Sequence, residues 1–229
     1  MKNISKLILI VCLFFSYNAH SALSLDATRY IFNENSSSVS VMIKNDSQSE
    51  YAAQIWIDNS SPDKQPKFIV TPSFFRIKAG STQVVRIIKA VKDISQDDEK
   101  LFWLNLQEIP PKLAGNGLNM AIRTQVKVIY RPELIREYRY ASEKKLTVSH
   151  ESGKTYLRNT TPYIFAIGNL YSLNGIVELS KSNIASLSIF KPGDYIKIDG
   201  EVEVTALDAI NDYGNVERYI LNVEDESEQ

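Results

Sequence analysis

Cysteine is nearly missing from this 229-residue sequence: Cys12 is the only one, and histidine occurs twice, at His20 and His150. With so few of these side chains, a zinc site or a cysteine nucleophile lacks its parts, so neither is expected, and no cofactor or enzyme activity is singled out. Long apolar runs are also missing. The uninterrupted stretch at residues 7–15 has nine residues, well short of the roughly 20 that span a bilayer as a helix. Charge of one sign does not accumulate in a long basic run, so nucleic acid is not an expected partner.

What the N-terminus does carry is two lysines, the apolar run, and then small residues at Ala19 and Ser21. This is the three-part pattern of a secretory signal peptide, residues 1–21, with cleavage expected after Ser21. Cys12 and His20 would leave with it. Without Lys2 and Lys6 the 26 basic residues become 24 against 27 acidic ones, a net charge of −3. A chain bound for an oxidising compartment would then fold with no disulfide, held by its core; at 44% hydrophobic residues it has the material for one.

No segment shows a sustained helical period. Alternating or β-branched and aromatic segments are expected to form strands within residues 23–32, 38–45, 51–58, 67–71, 82–88, 101–107 and 118–130. About seven short strands at this spacing predict an immunoglobulin-like sandwich over 22–131. A second series, at 145–149, 155–158, 163–170, 176–179, 186–190, 195–198, 201–206 and 216–223, predicts a smaller β-domain over 132–223, with an acidic tail at 224–229. Pro132 marks the boundary, since proline ends the pairing of a central strand. So short a linker implies a defined angle between domains.

Several fragments of chemical motifs fail on inspection. Gly153-Lys154-Thr155 would need a glycine at Val148 to end a phosphate loop, and Gly115-Asn116-Gly117 meets Met120 where a dinucleotide fingerprint has its third glycine. Both are expected to be turns, as is the segment around His150. Carboxylates are plentiful, but nothing singles out a catalytic pair.

The run NMAIRTQVKVIYRP at 119–132 stands apart. Sorted by parity from Leu118, one face carries Leu118, Met120, Ile122, Val126, Val128 and Tyr130 with the polar Thr124, and the other carries Asn119, Arg123, Gln125, Lys127 and Arg131 with Ala121 and Ile129. Thirteen residues exceed the usual strand of about 5 or 6. Its beginning therefore extends past the strands that could cover it, and an uncovered apolar edge invites another strand. Lys127, four residues before the boundary, is placed to face a cleft between the domains.

With KVIYRP after this strand, LFWLNLQEIPP before it, SLDATR past the cleavage site, and NTTPY and INDYG in the second domain, the sequence resembles the periplasmic chaperones of the chaperone-usher pathway of pilus assembly. The resemblance spans essentially the whole exported chain. It implies an all-β fold of two immunoglobulin-like sandwich domains joined at an angle, in a boomerang shape. It also implies donor-strand complementation, in which Leu118, Met120 and Ile122 enter the groove of an incomplete pilus subunit. Arg29 and Lys127 would anchor the subunit's C-terminal carboxylate, and Glu99, Arg131 and Asp212 would form an interdomain salt bridge. The implied partners are pilus subunits and an outer-membrane usher, the implied place is the periplasm, and the free protein's self-capping as a dimer is left open. The short connection from Ile109 to Gly117 and the missing cysteine pair resemble the short-loop branch of the family. Ala79-Gly80 replaces its usual Pro-Gly turn, and Thr160 stands where proline is common. The alternative is a structural pilus subunit or adhesin, which would lack its own final strand; an exported hydrolase is disfavoured by the missing nucleophile motifs.

Overall fold

The computed structural model describes residues 22–59, 65–92, 94–112, 115 and 117–221. The expected signal peptide, with Cys12 and His20, and the acidic tail lie outside these residues.

Among the described residues, nine strands form a first sandwich: β1 (Leu23–Leu25), β2 (Arg29–Asn33), β3 (Ser38–Asn45), β4 (Tyr51–Asn59), β5 (Phe68–Thr71), β6 (Phe74–Ile77), β7 (Thr82–Lys89), β8 (Lys100–Ile109) and β9 (Arg123–Arg131). One sheet has the order β1-β3-β7-β5 and the other β2-β9-β8-β4-β6. Alternation drives the packing, because Val41, Ile43, Val85 and Ile87 from one sheet meet Ile55, Leu104, Leu106, Val128 and Tyr130 from the other in a single core.

After the short helix α1 (Glu133–Arg136), seven strands among the described residues build a second sandwich: β10 (Thr147–Glu151), β11 (Lys154–Arg158), β12 (Ile167–Ser172), β13 (Gly175–Ile176), β14 (Tyr195–Asp199), β15 (Val204–Ile210) and β16 (Val216–Ile220). Its sheets run β10-β11-β14 and β13-β12-β15-β16, around a core that includes Leu157, Phe165, Leu170, Phe190 and Leu207. A third cluster, Leu101, Ile129 and Ile164 with Ile31, Trp103 and Ile189 against it, joins the two units.

Several expectations are corrected. Residues 23–32 are two strands on different sheets: β1 pairs with β3 and β2 with β9. The switch turns on Asp26, whose Oδ1 accepts from the Tyr30 hydroxyl (2.6 Å) and the Met42 amide (3.0 Å). β6 went unforeseen because its exposed Phe74 stands next to the buried Phe75, so the apolar pattern does not alternate there. Residues 186–190 are not a strand. They follow and overlap the helix α2 (Lys181–Leu187), whose N-cap Ser180 accepts from the Asn183 amide; the apparent alternation of Leu187 and Ile189 comes from one core contact and one interdomain contact. His150 belongs to β10 rather than a turn; the turn is Ser152-Gly153, both at positive φ.

β9 begins at Arg123, not Leu118. Its neighbour β8 ends at Ile109, and Pro110 and Pro111 beyond it have no N–H to offer a ladder. Residues 118–122 keep an irregular path, tied by Ile122 O to the Glu108 amide and by Asn119 Nδ2 to Pro111 O.

Candidate functional site

Two features of β9 define the site. The first is its uncovered approach: Leu118 is 85% exposed and Met120 69%, and Ile122 is also exposed, so the three apolar side chains have no core of their own. The second is an open edge. β8 pairs with β9 from Arg123 to Tyr130, whereas β2 covers the other side only from Lys127 onward, in parallel register with Arg29 opposite Lys127. From Arg123 to Val126 that second edge has no partner strand among the described residues.

Arg29 and Lys127 thus stand side by side on the face that looks into the cleft. Arg29 is only 7% exposed, and its Nη1 donates to the carbonyl of Ile210 (2.9 Å) while its Nε has no acceptor. Lys127 is half-buried and donates to the carbonyl of Ser188 at the end of α2. Burial, and then the neighbouring Arg29 charge, bring the Lys127 ammonium down to about 8. Burial likewise lowers Arg29, against the pull of Asp212. Both cations are therefore drawn from water and held by neutral carbonyls.

The structure also brings Glu99, Arg131 and Asp212 together. Arg131 Nε donates to Glu99 Oε1 (2.6 Å), and its Nη1 and Nη2 grip Asp212 Oδ2 and Oδ1 (2.6 and 2.9 Å). The other Glu99 oxygen accepts the Ile164 amide (2.8 Å). Desolvation pushes Glu99 up despite Arg131, whereas Arg131 overrides burial to hold Asp212 below its ordinary value. Sequence reasoning missed two further members, Arg139 and Glu143, paired by two hydrogen bonds (3.0 and 2.8 Å), with Arg139 over the Tyr163 and Phe165 rings. Their spacing of four was the only available signal, and it says nothing of burial. Around the cleft, Arg29, Lys127, Arg131 and Arg139 oppose Glu99, Asp212 and Glu143, so this group is one anion short of balance.

The family model for the pili and flagellar-assembly chaperone, PapD N-terminal domain, matches residues 22–136. The chain belongs to this chaperone family. Among its relatives, Chaperone protein FaeE of Escherichia coli is 39% identical, over 90% of this chain and 80% of its own. The solved periplasmic chaperone SfaE is 28% identical with a TM-score of 0.67, covering 88% of this chain and 100% of that one. The Salmonella enterica SafB chaperone, solved in complex with the SafA pilin, shares the fold at a TM-score of 0.70 and 19% identity, over 90% of this chain and 99% of that one.

Proposed function

We propose that this chain is a periplasmic chaperone that binds and folds pilus subunits by donor-strand complementation, caps them, and delivers them to an outer-membrane usher. Its work is binding, with no catalytic step. The observation that carries this reading is the Arg29–Lys127 pair, two adjacent desolvated cations whose hydrogen bonds, among the described residues, go to carbonyls. A strand added along the open edge of β9 would continue the line of β2. Running parallel to β9, it would end with its carboxylate at these two cations, while Leu118, Met120 and Ile122 filled the subunit's groove at alternate positions. Chaperone and pilin pairing is itself a recognised case of such strand addition. The signal-peptide pattern supports export, and the short connection after Ile109 supports the short-loop branch. The interdomain bridge through Arg131 would fix the cleft's shape. A subunit or adhesin is the weaker reading, since β9 already fills the place a subunit leaves empty.

Met120→Asp tests the strand. Met120 is 69% exposed and belongs to none of the core clusters among the described residues, so the thermal midpoint of the free chain should stay put. A carboxylate driven into an apolar groove is costly, and at least tenfold less subunit should co-purify from the periplasm. Undiminished co-purification, or a collapse of the free protein's stability, would remove Met120 from the interface.

A further inference from the structure

We propose that Asn211 is a positioning residue of the carboxylate anchor, holding the turn between β15 and β16 so that it grips Arg29 and Arg131 together. The proposal rests on the anchor reading above and assigns it a component in the second sandwich.

The turn is organised around one side chain. Asn211 Oδ1 accepts from the Tyr213 and Asn215 amides (3.0 and 2.9 Å), and its Nδ2 donates to Glu217 Oε1 on β16 (2.6 Å). A side-chain acceptor that binds amides two and four residues ahead pins a turn from within. The residues on either side of Asn211 each hold a cation of the first sandwich. Ile210 gives its carbonyl to Arg29, and Asp212 binds Arg131 through both oxygens.

The turn is also pressed against the segment that carries Arg29. Gly214 has φ +87, and a Cβ added there would lie 2.9 Å from Thr28 Oγ1. Glycine both permits this backbone and allows the close approach. If the turn loosened, Arg29 would lose the Ile210 carbonyl, its one hydrogen-bond acceptor among the described residues, and its desolvated guanidinium would no longer be aimed at an incoming carboxylate. Among the described residues, the hydrogen bonds of the Asn211 side chain go to Glu217, Tyr213 and Asn215, and none goes to Arg29 or Arg131. Asn211 acts through the backbone.

The test uses the pilus subunit that co-purifies with the wild-type chain, and the same subunit lengthened by two glycines so that its carboxylate overshoots the anchor. The ratio of their retention measures what the anchor contributes. Asn211→Ala should cut that ratio about tenfold, equivalent to about 1.4 kcal/mol, while retention of the lengthened subunit is unchanged. Asn211→Asp keeps the turn's acceptor but sets a carboxylate against Glu217, and should lower the ratio partway. Asn211→Asp with Glu217→Gln restores the cross-strand bond with its donor reversed, and should recover the ratio. An unchanged ratio overturns the proposal, as does an equal loss for both subunits, which would mean a merely structural role. If Asn211→Ala fails to fold, the comparison of the single aspartate variant with the double variant decides alone. Lys127→Ala in the same assay separates the two readings: an unchanged ratio there refutes the anchor itself.

Discussion

Lys127→Ala is expected to yield a folded chaperone that retains its pilus subunit roughly ten- to a hundredfold less well, and Arg29→Ala should behave alike. A charge-assisted bond to a buried carboxylate contributes about 1.5–3 kcal/mol, and about 1.4 kcal/mol is tenfold in affinity. The free protein should not suffer from loss of Lys127, because burial and the adjacent Arg29 already disfavour that charge in the folded state. The pH dependence follows with a definite sign. The folded value of about 8 lies below the usual lysine value near 10.4. The unfolded chain therefore binds more protons between these limits, so the Lys127 contribution to the free protein's stability rises with pH there. The complex should show the reverse. A carboxylate beside Lys127 favours its protonated form, so retention should weaken as pH climbs past about 8. Retention measured from pH 6 to pH 9.5 checks this. Normal retention by a folded Lys127→Ala variant would end the anchor assignment.

Arg131→Ala should be the most destabilising single change around the cleft, by about 3–5 kcal/mol, since removing one partner of a buried pair leaves an uncompensated charge. Glu99 is 2% exposed, and without Arg131 its carboxylate would keep, among the described residues, the hydrogen bond from the Ile164 amide and the more distant charge of Arg139. Urea unfolding should show the loss at neutral pH. The gap between variant and wild type should narrow on acidification, for two reasons of sign. Glu99, already raised by desolvation, takes up a proton more readily once Arg131 is gone, which relieves the variant. Asp212, held low by Arg131 against its burial, loses its contribution to the wild type as pH falls through its folded value. A neutral-pH cost under about 1 kcal/mol would mean the bridge does not hold the domains.

The amino-acid sequence determined a good deal by itself. Period-two alternation placed 38–45 to the residue and most other strands to within two or three, since burial on one face of a pleated strand imposes that period wherever the strand lies. The motif resemblance picked out Arg29, Lys127, Glu99, Arg131 and Asp212, and the fold brings the first two and the last three into contact range of one another. The excess length of the apolar pattern before Lys127 also pointed to residues with nothing to cover them, as the exposure of Leu118 and Met120 bears out.

Only the tertiary structure decided the rest. Where β9 starts depends on β8 running into two prolines, and its open edge depends on β2 beginning at Arg29; both are properties of neighbours distant in sequence. The helix at 181–187 was hidden because a seven-residue helix is too short to show a period. Burial of Arg139 and Glu143 comes from packing within the second unit, and the grip of the Asn211 turn on Arg29 arises where two sandwiches meet. A pattern along one chain reports which face of a strand avoids water, but not which distant carbonyl or carboxylate will be waiting there.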